Sequence, residues 1–165
     1  MKSTLVLAGS LLASVLLNAQ GAAPARGGAA AGTAAPVPPK PVTEVTFFDH
    51  TKVADALAKG TVLLSAPDYI VQGSHRTAAG QVEVHDKETD VIYIIDGSAD
   101  FVTGGKMVGG KVSRPDQWLG TDITGGKTQH LVKGDVVVVP AGIPHWFKVV
   151  TPPEISYYVV KVVKP

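Results

Sequence analysis

From Thr61 to the C-terminus, apolar and polar residues alternate or gather in short β-branched blocks, without the three-and-four spacing of a helix. Strands are expected at Val62–Leu64, Tyr69–Ser74, Gln81–His85, Val91–Asp96, Ala99–Thr103, Gln129–Val132, Val136–Val139, Trp146–Val150 and Ser156–Val163. Turn signals separate many of them, among them Asp96-Gly97, Gly104-Gly105, Lys133-Gly134 and Pro152-Pro153. Many short strands with Gly and Pro turns imply an all-β sandwich or barrel. One helix precedes them. Asp49 or Thr51 can cap it, Val53, Ala54, Leu57 and Ala58 form its apolar stripe, Lys59 ends it, and Gly60 suits the position just beyond. His50 at its start reads as an exposed capping residue. Lys106 to Gly126, rich in glycine, reads as a long insertion in which Trp118 either roofs a cavity or anchors the loop.

Carrying the strand phase along the chain brings chemistry together. Gln81, Glu83 and His85 share one face, with Val82 and Val84 on the other. Asp86 to Thr89 forms a polar turn, after which Asp90 opens the next strand and puts Ile92 and Ile94 on its own face. Gly134 to His145 (GDVVVVPAGIPH) reads as strand, tight turn and new strand, because Pro140, Gly142 and Pro144 forbid a helix. His145 at that turn either caps backbone groups or serves as a ligand. With Glu83, His85 and Asp90 it makes two imidazoles and up to two carboxylates, a usual donor set for a divalent first-row metal. His145 inward brings in Phe147 and Val149 and leaves Trp146 and Val150 outside. Val91, Tyr93 and Ile95 also face out. These outward sets are too apolar for water, so a homodimer is expected to cover them, or else the segment around Phe47-Phe48. Neither His75 nor His130 has ligand spacing. His75 with Arg76 is placed at the cavity rim, and His130 faces either the interior or solvent.

These two stretches resemble the two motifs of the cupin superfamily. In the second motif, G-x5-P-x-G-x2-H-x3-N, Gly134, Pro140, Gly142 and His145 match and Val149 replaces the Asn. In the first, G-x5-H-x-H-x3-4-E-x6-G, Gly97 matches, Asp90 takes the Glu position, His85 the second His and Glu83 the first, while Thr77 stands at the leading Gly. The resemblance covers roughly Val62 to Val163. It implies a cupin-type jelly-roll β-barrel and a single metal ion (Mn, Fe, Ni or Zn) on Glu83, His85, Asp90 and His145. If Glu83 is not a ligand, it could act as general base beside the metal. The expected substrate pocket, small and mostly apolar, is lined by Gln81, Ile92, Ile94, His130, Phe147 and Tyr158.

The N-terminus differs in kind. Lys2, the apolar run Leu5 to Leu17 and the small residues at Ala19-Gln20-Gly21 read as a signal peptide over residues 1–21, implying a secreted or periplasmic protein with no membrane insertion after cleavage. Residues 22–41, nearly all Ala, Gly and Pro, cannot bury enough apolar surface to order themselves and read as a disordered linker. The folded domain is then 42–165. The chain has 15 basic and 14 acidic residues, so cleavage of Lys2 leaves 14 against 14, a balance that argues against nucleic acid as partner. With no cysteine, a packed core must hold the fold and any metal is held by N and O donors.

The resulting expectation is an exported metal-binding cupin acting on a small oxygenated molecule as a dioxygenase-, isomerase- or decarboxylase-like enzyme. The alternative is a non-catalytic cupin that binds or senses a small ligand.

Overall fold

The computed structural model describes residues 39–164. The signal peptide expected over 1–21 and residues 22–38 of the expected linker lie outside the described residues. Helix α1 spans His50–Lys59, as its end signals dictate. Asp49 Oδ1 accepts the Lys52 N–H at 2.8 Å. Gly60 turns left-handed (φ 63°), and its N–H reaches the Ala56 and Leu57 carbonyls. The helix lies on strand β2, and Gly73 permits the approach: a Cβ there would sit 2.8 Å from backbone atoms of Ala56 and Leu57. No helix among the described residues is long and apolar enough to cross a membrane.

The remainder is all-β. In chain order the strands are β1 (Val62–Ser65), β2 (Tyr69–Arg76), β3 (Val82–His85), β4 (Glu88–Thr103), β5 (Lys106–Val108), β6 (Lys111–Arg114), β7 (Gln117–Gly120), β8 (Asp122–Thr124), β9 (Lys127–Val132), β10 (Val136–Val139) and β11 (His145–Val163). Nine of them form one antiparallel sheet that curls into a barrel, while β5 and β8 make a separate pair. The spine is the β4–β11 ladder, which runs from Glu88 opposite Val163 to Thr103 opposite His145. β10 and β9 flank successive halves of β4. β2 flanks the second half of β11, and β3 meets β11 where Glu83 pairs with His145.

Two expected breaks are bends instead. The chain stays in strand through Gly97 (φ 79°) and through Pro152-Pro153. Register slips between Thr151 and Ile155, so Pro152, Pro153 and Glu154 bulge away from β4. Prolines are tolerated there because a bulged residue owes no ladder hydrogen bond. A second slip, between Phe147 and Val149, reverses the expected phase. Phe147 and Val150 are buried, and Val149, expected inward, is exposed. The Lys106–Gly126 insertion holds four short strands rather than a loop: β6 and β7 form a hairpin that extends β3. The glycine-rich, polar sequence there carries no apolar block to announce them.

Inside the barrel, Ile92, Ile94, Phe101, Phe147, Ile155, Tyr157 and Val159 form the main core. Phe101 and Phe147 rings stand 4.6 Å apart, and Phe147 stacks on Tyr157 at 4.8 Å. Outside, the pairing aligns Leu64, Val71, Val160, Val91 and Val138 in one row, with Tyr158, Tyr93 and Val136 beside it. Not one of these residues is charged, and Tyr93, Val136 and Val138 are exposed. Phe47, 84% exposed, does not cover that face within the chain.

Candidate metal centre

The inward phases of four strands converge at one end of the core. β3 supplies Glu83 and His85, β4 supplies Glu88 and Asp90, β11 supplies His145, Tyr157 and Lys161, and β2 supplies Arg76. All but Glu88 line a cavity of about 330 Å³ together with Gln72, Ser74, Gln81 and Gln117.

The two imidazoles are held in one tautomer each. His145 Nδ1 donates to the Ile143 carbonyl at 3.1 Å, a bond built by the tight turn, so its Nε2 lone pair faces the cavity. His85 Nε2 accepts from Lys161 Nζ at 2.9 Å. Its Nδ1 is therefore the protonated nitrogen, and it is buried without a hydrogen-bond partner. The carboxylates close around the two Nε2 atoms. Glu83 Oε2 lies 3.5 Å from His85 Nε2 and 3.8 Å from that of His145. Asp90 Oδ2 lies 3.6 and 3.7 Å from the same two atoms. Donors about 2.1 Å from a tetrahedral ion stand about 3.4 Å apart, so these spacings suit a metal with little movement. Two groups of three, Glu83-His85-His145 and His85-Glu88-Asp90, each keep their donor atoms within 4.8 Å of one another.

Electrostatics keep the donors ready. Burial alone would raise the Glu83 pKa, but the neighbouring His85 and His145 imidazoles and the Arg76 guanidinium outweigh it and hold the group at about 2. Burial also works against ionisation of Glu88, yet Lys161 and Arg114 bring its pKa below the ordinary value. Burial lowers the His145 pKa, which keeps its Nε2 lone pair free at neutral pH.

Glu83, His85, Asp90 and His145 thus meet as the sequence phase predicts, and Gln81, Ile92 and Phe147 line the cavity. The other pocket expectations are corrected. Ile94 lies in the apolar core, outside the cavity lining. His130 is exposed on the outer face and pairs with Asp100 at 2.7 Å. Tyr158 also faces out, because Ile155, Tyr157 and Val159 alternate inward along β11 and the inward place belongs to Tyr157. The lining is mostly polar, not apolar. Trp118 anchors rather than roofs: its Nε1 donates to Asp86 at 3.0 Å and it is absent from the lining. His75 lies beneath α1, its ring against the Leu57 carbonyl.

Sequence reasoning missed Glu88 and Lys161. Glu88 looks like part of a turn, but it begins β4 on the same face as Asp90. Lys161 is the sole charge in the apolar run after Ser156, two residues past inward-facing Val159, and that isolation was a readable signal. Both are paired. Arg114 meets Glu88 at 3.0 Å, and Lys161 reaches Glu88 at 3.2 Å and Asp90 at 2.8 Å.

Comparison with known families now decides the class. The sequence model of the family described as Cupin matches residues 72–165. The chain is a cupin. An uncharacterised protein with a double-stranded β-helix domain from Klebsiella pneumoniae superposes with a TM-score of 0.51 at 18% identity, covering 73% of this cupin and 91% of that chain. A Bacillus halodurans protein superposes at 0.54 with 12% identity, covering 76% and 87% respectively. These likenesses concern the fold alone. No curated protein matches this cupin's sequence.

Proposed function

We propose that this cupin holds one divalent first-row metal ion on Glu83, His85, Asp90 and His145 and acts on a small, polar, oxygen-rich molecule in the cavity. The observation that carries the reading is that the Glu83 and Asp90 carboxylates each lie 3.5–3.8 Å from both imidazole Nε2 atoms in the cavity. Two carboxylates among the donors favour the harder candidates, Mn(II) or Fe(II), over softer ones, with Ni(II) and Zn(II) next. When bound, such an ion polarises a carbonyl or hydroxyl. The protein's own groups do the rest. Gln72, Gln81 and Gln117 offer donors and acceptors to hydroxyls, and Phe147 supplies a flat apolar wall. A carboxylate held near pKa 2 is a weak base, so Glu83 serves better as ligand than as proton acceptor. His145, neutral at physiological pH, is the better acceptor wherever its Nε2 is free of metal. The class of turnover we propose is dioxygenase-, isomerase- or decarboxylase-like. A non-catalytic binding cupin is the second reading, favoured by the pairing of Lys161 with Asp90 and His85, which satisfies those donors without a metal.

The test is elemental analysis of protein purified without a His tag or chelator. Near one equivalent of Mn, Fe, Ni or Zn is expected, falling to background in His85→Ala and His145→Ala. No bound metal after incubation with each ion would remove the metal reading and leave the binder.

We also propose that the mature protein is exported, on the strength of Lys2 and the Leu5–Leu17 run. The partner we propose is a second copy. The uncharged rows on β2, β11, β4 and β10 call for an equally uncharged surface, and another copy presents one. Light scattering after size-exclusion chromatography is expected to give a dimer mass, and Val136→Lys with Val138→Lys a monomer. A wild-type monomer at tens of micromolar would refute the dimer.

A further inference from the structure

Lys161 is a cation placed where no cupin motif asks for one. Its position is set by the backbone: β11 pairs Lys161 with Asp90, on the phase that sends Tyr157 and Val159 inward. The side chain is 13% exposed. An ammonium carries three protons, and Lys161 Nζ finds three partners. It lies 2.8 and 3.0 Å from the Asp90 oxygens, 2.9 Å from His85 Nε2 and 3.2 Å from Glu88 Oε2. The lone pair that His85 gives Lys161 is the one a metal would need, and the same holds for the Asp90 oxygens. Two of the four donors are therefore engaged by a positive charge of the protein's own, and that charge would stand beside any ion entering between them.

Glu88 completes the arrangement. It is buried, and it touches both Lys161 and Arg114. It belongs to the second donor trio. Its alternative use is to hold the Lys161 ammonium once Asp90 and His85 let go, since Nζ already stands within 3.2 Å of it.

We infer that the Lys161 ammonium is the resident cation of this site, and that a divalent metal binds only by exchange, displacing Lys161 from Asp90 and His85 onto Glu88. This rests on the metal reading proposed above. It makes the site a weak, exchangeable one, in which a positively charged side chain and a metal ion compete for the same lone pairs.

The opposite signs of two substitutions test it. Full-length protein is freed of metal by chelator and dialysis, and Mn(II) is titrated by calorimetry, with free Mn(II) followed by electron paramagnetic resonance. Lys161→Met is expected to bind Mn(II) on the order of 10- to 100-fold more tightly than wild type, because a competing like charge is gone. Glu88→Gln is expected to weaken wild-type binding several-fold and to have no effect in the Lys161→Met background, since no ammonium then needs a new partner. Lys161→Gln serves in place of Lys161→Met should the latter melt early, and each variant's thermal transition is recorded. Binding to wild type with no gain in either Lys161 variant would overturn the exchange alone and leave the metal reading standing. A Glu88→Gln loss that persists in the Lys161→Met background would make Glu88 a ligand and overturn its role as the receiving group. Absence of binding in every variant would sink both proposals together.

Discussion

Gly97→Val is expected to leave the domain largely unfolded at 37 °C. Gly97 sits at φ 79°, in the left-handed region that costs an L-residue roughly 1–2 kcal/mol and a β-branched one more. Strain is the smaller part. A Cβ on Gly97 would stand 2.0 Å from the Glu154 carbonyl oxygen and 2.9 Å from the Ile155 Cα, both backbone atoms. To make room, the Pro152–Glu154 bulge must move, and with it the register of Ile155, which is fully buried in the main core. The loss is on the order of 4 kcal/mol or more, a large share of the 5–15 kcal/mol that holds a typical domain. Gly134 provides the control. It too has positive φ (93°), but a Cβ there meets nothing within 4 Å. Urea unfolding followed by circular dichroism should place Gly97→Val far below Gly134→Val. Equal losses in the two would mean that backbone strain alone, and not the close approach of the bulge, decides the matter.

Acid should unfold this cupin through the same site that is proposed to bind metal. The folded-state pKa of Glu83 is about 2 against an ordinary value of 4.5. A carboxylate whose pKa is depressed by folding adds stability above the unfolded value and loses it as pH falls through the folded one. For Glu83 the window runs from about 4.5 down to about 2, and a shift of this size corresponds to roughly 3 kcal/mol. Glu88 contributes in the same direction. His145 adds to the slope from higher pH. Its folded pKa is lowered by burial, so protonation below the ordinary imidazole value favours the unfolded chain. Urea midpoints for metal-free protein should hold from pH 7.5 to near 6.5 and then decline, steepening below pH 4.5. Glu83→Gln should remove much of the decline below 4.5 while lowering stability at pH 7. An unchanged slope in that variant would show that Glu83 is not the group responsible.

How far the sequence could be read depended on how local each cause was. Helix α1 was legible because Asp49 and Gly60 act on their own neighbours. The four proposed ligands were legible because strand alternation and one rigid turn place them without reference to distant chain. Errors arose where register slips. Alternation from His145 puts Val149 inside, and the bulge at Phe147/Val149 puts Val150 there instead. A bulge is a property of two strands together, and neither strand alone announces it. The cavity's polarity was missed for a related reason. Arg76, Arg114 and Lys161 arrive from strands far apart in sequence, and only the closed barrel brings them onto Glu83, Glu88 and Asp90.

The long ladder between β4 and β11 also dictates a time order. Its pairs join Glu88 to Val163 and Thr103 to His145, so the spine of the barrel cannot zip from a local hairpin. Chains dominated by such distant pairings close on the scale of milliseconds to seconds, slowly for a small domain. During synthesis Glu83, His85 and Asp90 leave the ribosome well before His145 and Lys161 exist to meet them. The donor cluster is therefore assembled in the last stage of folding, and an ion can find a complete site only after the barrel has shut.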